Sequence, residues 1–448
     1  MAVTAVISTH LEKVEPKLQV LYDKTDMTLA SRIKPSKKVQ PVNRYLYRIP
    51  LELFPAGAFH KYSANGSSLG RGSTLSTTHM TAGYIYATLA YEMTDEELDT
   101  TKGGAGAVID VLNKALAEAI PVYQEHDNIT LHTDGTGTLT ADSTASAANS
   151  LTFTDTALGV NRLREGMEVD VWASGGATKR ALAVGAPLLI TRINYATGLV
   201  TFNQNVTAIA TTDFLAFAGL DAYGPAALTS FSATWPPSPE TSVAAGLGGD
   251  SFRHGLYYAN DFTAANYHLG VQKSTVPQLL AEQVDASDAL NFAHGLKLAE
   301  QLLQRMPEES IKGMRWVFHM KQIRQVFNIG MGSVNIDVNG GSFGRMPDLA
   351  PDRVDRSGTL TFAGFPVDVS KRQYNNRVDA WIPENWGRAV ARDLSFYDDG
   401  NGGKIFKGRS ITDGTVTSVN NFYVRAAMDF FCKNPGMGGA ITNLDIPA

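Results

Sequence analysis

Residues 124–138 read QEHDNITLHTDGTGT and place two histidines and two aspartates between His126 and Asp134. Imidazoles and carboxylates this close could hold a divalent metal or relay a proton. Spacing argues otherwise. The helical pattern that precedes them fades near Gln124, so His126 and Asp127 fall in a last helical turn, where the macrodipole favours a histidine. Beyond it, Ile129 and Leu131 alternate with Thr130, His132 and Asp134, which predicts a strand with His132 and Asp134 on a solvated polar face. Two ligands with no third fixed by spacing do not define a metal site. No catalytic, cofactor-binding or metal-ligating residue is assigned here.

The remaining chemistry is also refused by context. Two G-x-S-x-G patterns occur, around Ser68 and Ser342. A nucleophile elbow needs a strand before the serine and a helix after it. Arg-Gly-Ser-Thr follows the first and Arg-Met-Pro the second, so both are loops. Asp398-Asp399-Gly400-Asn401 resembles the start of a calcium loop, but the closing glutamate is missing and Lys404 intrudes, leaving a turn. Cys432 is the single cysteine; it excludes a disulfide framework and reads as a small buried hydrophobe. Of the tryptophans 172, 235, 316, 381 and 386, most read as core anchors. Trp386, in IPENWGR, is instead a candidate interface anchor, because Trp and Arg are favoured there.

The elements around these residues belong to a chain of 448 residues, 19% of them charged, with 41 glycines and a net charge of −5. That length allows two or three cores. Low charge with much Gly, Ser, Thr and Ala favours sheet and loop, with surface meant to be covered by partners. Mild acidity disfavours a dedicated nucleic-acid binder. No signal peptide or membrane span is legible, so a soluble intracellular product is expected.

Residues 1–50 form a basic, proline-punctuated segment that includes Arg32, Lys37 and Lys38 and reads as an extended arm. Strand-forming stretches at Tyr45–Ile49 and Tyr84–Leu89 flank a polar, glycine-rich run, predicting a projecting hairpin with a long loop. Thr94-Asp95-Glu96-Glu97 is a capping box that opens a long helix toward Gln124, with Val108, Leu112, Ala115, Ala119 and Val122 on one stripe. After a Thr/Ser/Ala-rich tract to Thr156, short strands separated by turns fill 157–222 and predict a small inserted β-barrel or sandwich. A second helix is predicted from near Ser287, with Ala289, Phe292, Leu296, Ala299 and Leu303 inward. A short one follows over His319–Phe327 with Ile323 inward, and a strand-like NNFYVRAAMDFFCKNP closes the chain.

This order of elements resembles the Hong Kong 97 fold of major capsid proteins of tailed double-stranded DNA phages. The resemblance is carried by GGAGAVIDVLNKALAEAIPVYQ, by LREGMEVDVW…ATGLVTF…TTDFLAFAGL, by GFPVDVS…WIPENWGRAV and by MDFFCKNPGMGGAITNLDIP. It implies an α+β fold with an N-terminal arm (1–43), an extended loop (44–92) and a spine helix of a peripheral domain (93–126). Linking strands (127–156) lead to the inserted β-domain (157–222). Peripheral helices and connections (223–330), an axial domain (331–404) and closing peripheral strands (405–448) follow.

The function implied is a shell protein, not an enzyme. It would self-assemble into hexamers and pentamers of an icosahedral head, formed in the host cytoplasm and becoming part of the virion. The head encloses double-stranded DNA without sequence-specific binding and without a membrane. Portal, scaffolding and cement or decoration proteins are the further partners implied, and no cofactor is. Candidate inter-subunit contacts are Arg32, Lys37, Lys38, Lys61, Arg71, Trp386 and Arg388. Some relatives cross-link the extended loop through a lysine. Lys61 is the only lysine in the loop tip, but no partner is identifiable and no cross-link is predicted. An encapsulin-type nanocompartment shell, a phage tail or adhesin protein, and an enzyme built on His126, His132 and Asp134 are the competing readings.

Overall fold

The computed structural model describes residues 29–36, 39–42, 46–54, 76–94, 121–132, 138–140, 143–147, 149–154, 157–173, 179–182, 187–206, 213–218, 255–264, 267–306, 308–325, 361–397, 406–409 and 416–446. They fall into two units of an α+β chain.

One unit holds the described parts of Ile85–Asp127 and Val390–Met428. The predicted closing strand is a single 17-residue strand, Val416–Cys432. It pairs antiparallel with Ile85–Thr94, in register from Thr94 opposite Val419 to Ile85 opposite Met428. Alternation explains its core: Phe422, Val424 and Ala426, two residues apart, are all buried. Tyr91 stacks on Phe422 at 5.0 Å between ring centroids. Tyr123, from the helix over residues 121–131, seals this core and donates its hydroxyl to the Val424 carbonyl at 2.9 Å. Burial and the nearby Asp127 carboxylate push that phenol well above its usual range.

The pairing of Ile85–Thr94 corrects the predicted hairpin. The partner of Leu46–Phe54 is Ser76–Gly83, antiparallel from Leu46 opposite Gly83 to Phe54 opposite Ser76. Ser76–Gly83, STTHMTAG, reads as loop because it holds a single large apolar side chain. Its threonines favour a pleated surface, and one large buried side chain, Met80, is enough to seat it beside Tyr47 and Ile49. The capping-box residues Asp95–Glu97 and the stripe from Val108 to Ala119 lie outside the described residues.

In the second unit, the inserted β-module is larger than predicted. Ser143–Ala147, Ser150–Phe153, Leu199–Phe202 and Ile190–Asn194 form one sheet, and Thr138–Thr140, Phe214–Phe217 and Val169–Trp172 another. Both enclose a core of Leu139, Leu151, Phe153, Val169, Val171, Ile190, Val200, Phe202 and Leu215. The module therefore starts near residue 138, inside the stretch 127–156 expected to link domains. Small polar residues disguised these strands, since only Leu139, Leu151 and Phe153 supply large inward groups. The predicted turn at Ala196-Thr197-Gly198 is present. Gly198 has φ +72°, and a Cβ there would stand 2.4 Å from the Phe153 carbonyl oxygen, so glycine is required.

A six-stranded mixed sheet runs in the order Glu282–Asp285, Gly439–Thr442, Val378–Trp381, Arg315–Phe318, Phe365–Val369, Thr361–Phe362. Its strands come from all three of the segments 223–330, 331–404 and 405–448, so boundaries at 330/331 and 404/405 do not separate layers among the described residues. Trp316 and Phe318 meet Phe362 edge-on at 5.6 and 5.3 Å. Helix Phe292–Arg305 lies over them through Gly295, Leu298, Ala299 and Leu302. A side chain at Gly295 would come within 2.5 Å of Phe362, so this glycine sets how closely helix and sheet approach.

The helix starts at Phe292, not near Ser287. Ser287 is left-handed at φ +49°, and Asn291 forms the cap by accepting the His294 backbone N–H at 3.0 Å. Two predicted inward leucines, Leu296 and Leu303, point outward instead. The short helix over 320–325 follows His319, and Ile323 is buried as predicted, while Phe327 lies outside the described residues.

Candidate functional site

The opening cluster is not on a strand. The helix continues through Leu131, and His132 follows as a fully buried turn residue. Ile129 and Leu131 alternate by coincidence; residues 128–132 are all buried at the end of the helix, with no exposed polar face. His126 sits half-buried within the helix, and desolvation lowers its pKa to about 4. Asp134 lies outside the described residues, as do both G-x-S-x-G serines and Asp398–Asn401. Among the described residues, no group of three or more His, Cys, Asp or Glu is placed to hold a metal ion.

His132 instead joins a buried polar junction where the β-module meets the six-stranded sheet. Its Nδ1 lies 3.0 Å from Gln373 Oε1, and Gln373 donates to Asp379. Asp379, 1% exposed, also accepts from Asn260 at 2.9 Å and from Arg377 Nη2 at 2.8 Å and Nε at 3.0 Å. From the module side, Arg162 donates to the Arg372 carbonyl at 3.1 Å and the His132 carbonyl at 2.8 Å. Its guanidinium lies 4.3 Å over the Tyr374 ring, while that of Arg377 lies 4.0 Å over Tyr257. Arg372 reaches back to the Asn161 and Leu163 carbonyls. Asn161 and Asn375 complete the seam at 3.1 Å.

Arginine suits this place: its planar fork satisfies several backbone carbonyls at once and stacks on aromatic faces. His319 borders the junction. Burial, with Lys321, His132 and Arg162 nearby, lowers its pKa to about 4. Neither Arg162 nor Arg372 stands out in the sequence. The available signal was the density of polar residues in KRQYNNRVDAW, too many for a plain strand beside the apolar Val378, Ala380 and Trp381.

The segment Leu29–Ser36 is pinned. Leu29 and Ile33 are buried beside Trp381, Trp386 and Phe430. Arg388 donates its backbone N–H to the Lys34 carbonyl at 3.2 Å and accepts from Ser36 at 3.0 Å. Arg32 reaches Asp368 at 2.8 Å, a carboxylate that Arg315 also holds at 2.7 and 2.8 Å. Trp386 is buried edge-on to Trp381 at 6.1 Å, so it anchors this chain's own core and is not the exposed interface anchor expected. Lys37, Lys38, Lys61, Arg71 and Trp235 lie outside the described residues. Cys432 is buried as expected, and burial pushes its thiol up to about 12. No described helix is long and apolar enough to cross a membrane.

No protein-family model matches this chain, and no curated protein does. Among solved structures, it is similar to the cyanophage A-1(L) capsid asymmetric unit, at 12% identity and TM-score 0.45, over 98% of this chain and 99% of that one. The capsid of an empty GTA particle gives 8% identity and TM-score 0.45, over 98% of each chain. The mature capsid of bacteriophage PhiM1 gives 9% identity and TM-score 0.42, over 97% and 91%.

Proposed function

We propose that this chain is a shell subunit: a major capsid protein of a tailed double-stranded DNA phage that assembles through hexamers and pentamers into an icosahedral head. The observation that carries the reading is the hairpin Leu46–Phe54/Ser76–Gly83. One face is rooted by Tyr47, Ile49 and Met80 against Leu269, Ala389 and Phe431, and Tyr47 hydrogen-bonds the buried carboxylate of Asp429. The other face shows Arg48, Pro50, Thr77 and His79 to solvent. An element fixed at its base and bare on one face loses little freedom when a neighbour covers it. The pinned segment 29–36 likewise gives the basic arm a fixed point of departure.

On this reading, residues 1–43 are the arm and the hairpin Leu46–Phe54/Ser76–Gly83 carries the extended loop, without Ile85–Thr94. The β-module begins near residue 138, and one shared sheet takes the place of the separate segments 223–330, 331–404 and 405–448. Overlap of such elements among many copies multiplies weak contacts through avidity. Arg32, Lys37, Lys38, Lys61, Arg71 and Arg388 are candidates for those contacts. Portal, scaffolding and cement proteins are the further partners, and the net charge of −5 suits a container that must release its DNA. Electron microscopy of the purified protein tests the reading. Closed shells or five- and six-membered rings are expected, and a stable small oligomer would overturn it.

A further inference from the structure

Two turns of this chain are built alike and filled differently. Leu269-Gly270 joins Tyr267–His268 to Val271–Gln272, and Ala363-Gly364 joins Thr361–Phe362 to Phe365–Val369, each linking antiparallel strands through two residues. Their angles match, with φ of +47° and +85° in the first and +47° and +84° in the second. Such a turn favours Asn, Asp or Gly at its first position. Any other side chain there sets its Cβ against the following carbonyl, and a bulky one is an outlier. Leucine gains nothing from the turn itself, so the destination of its side chain must hold it there.

That destination is the root of the hairpin Leu46–Phe54/Ser76–Gly83, where Leu269 is buried among Tyr47, Ile49, Met80, Tyr84 and Phe431. The Leu269 carbonyl accepts the Thr81 backbone N–H at 2.8 Å, on the edge of Ser76–Gly83 away from Leu46–Phe54. From behind, the Tyr258 hydroxyl accepts the Leu269 N–H at 3.3 Å. His268 stacks on the Tyr258 ring at 5.6 Å, and its Nε2 lies 2.9 Å from the Cys432 carbonyl oxygen. The turn is held on the core side and meets the longer hairpin through its tip.

We infer that the Leu269-Gly270 turn is a latch: Leu269 seats the longer hairpin at one angle, and withdrawing that side chain frees the hairpin while the six-stranded sheet keeps its fold. Strain at residue 269 is relieved when the side chain leaves, which narrows the gap between seated and free states. The hydrogen bond from Tyr47 to Asp429 remains as the pivot. A hairpin that can be seated and released suits overlap among copies; in that role the latch rests on the shell reading.

Hydrogen exchange on the full-length, unassembled chain tests it. Asn suits the turn better than Leu but brings no apolar side chain, so the two roles of residue 269 make opposite demands. Leu269→Asn should speed exchange at least about tenfold in Leu46–Phe54 and Ser76–Gly83, and leave Arg315–Phe318 and Val378–Trp381 within about twofold. Unchanged or slower exchange in the hairpin would mean that residue 269 serves only its turn. Equal acceleration in the sheet would make it an ordinary core residue, and either result overturns the latch. Should that variant not fold, Leu269→Ala, which installs the residue already present in the matching turn, carries the same test at about threefold. Leu269→Asn should also raise the concentration needed for assembly at least about tenfold, because the freed hairpin must be ordered again on contact. Faster hairpin exchange with assembly at the wild-type concentration would leave the latch standing and break the hairpin's part in the shell reading.

Discussion

The β-module and the junction that seats it are held by opposite means. The module's interior is aliphatic and aromatic, and its strands follow one another within residues 138–217. The junction is arginine, amide and carboxylate, and several of its contacts join residues more than a hundred apart in sequence, as with Arg162 and Arg372 or His132 and Gln373. Apolar burial is non-directional, so a local module tolerates many arrangements of similar volume. A buried polar network admits few geometries, because each unmade hydrogen bond leaves a desolvated group behind. The contrast suggests a division of labour: the module folds on its own aliphatic core, and the junction fixes where that module points.

If so, breaking the junction should cost more than damaging the module. Asp379→Asn removes the charge that Arg377 meets while keeping size and some hydrogen bonding. It leaves Arg377, itself 3% exposed, as an uncompensated buried cation. A loss of about 3–5 kcal/mol is expected in denaturant unfolding. Arg377→Met/Asp379→Leu should recover a good part of it, because removing both partners strands no charge. A loss below about 1 kcal/mol for the single variant would show that the junction is not rigid.

Acid should act on the same side of the comparison. His319 titrates near 4 in the folded chain against about 6.5 when unfolded. Between those values the unfolded chain binds more protons, so stability is whole above about pH 6.5 and declines as pH falls toward 4. The full shift corresponds to a loss on the order of 3 kcal/mol. His319→Asn keeps a residue able to cap the helix over 320–325, where His319 Nδ1 accepts the Lys321 N–H at 3.1 Å, yet cannot titrate. Its stability should be flatter across that window, and an unchanged pH profile would assign the acid sensitivity to another group, His126 foremost.

Sequence made the local features legible and left the distant ones hidden. The turn at Gly198, the long terminal strand and the buried Cys432 each follow from a few adjacent residues. Pairing partners did not. Leu46–Phe54 passes over the more apolar Ile85–Thr94 to pair with the threonine-rich Ser76–Gly83, because nothing local ranks two candidate strands. His132 looked solvated because alternation over a few residues imitates a strand, while its burial depends on Arg162 and Gln373, far along the chain. On helix Phe292–Arg305, two apolar stripes overlap at Ala299. Spacing alone could not say which of them its own sheet would cover.

The module side of the comparison is probed by Gly198→Ala. The new methyl would meet the Phe153 carbonyl in a left-handed turn, so a cost of about 1–3 kcal/mol is expected. Because the strain is confined to the hairpin Ile190–Asn194/Leu199–Phe202, hydrogen exchange should rise there and remain unchanged at Arg315–Phe318 and Val378–Trp381. Equal acceleration in the sheet would mean that module and junction unfold together, and the division of labour would fail.

The smallest effect belongs to the segment Leu29–Ser36. Arg32→Ala removes one of two guanidinium groups on Asp368. The Arg32 side chain is 40% exposed, and Arg315 keeps both of its contacts to the carboxylate. Solvent screening limits such a pair to less than about 1 kcal/mol, which the melt of the unassembled chain should reflect. Leu29 and Ile33 are buried and carry most of the segment's attachment. Leu29→Ala, which leaves a cavity, should therefore release the arm at a cost of about 2–5 kcal/mol where Arg32→Ala does not. Limited proteolysis near residue 28 separates the two. Earlier cleavage in the Arg32 variant than in the Leu29 variant would show that charge, and not packing, fixes the point from which the arm departs.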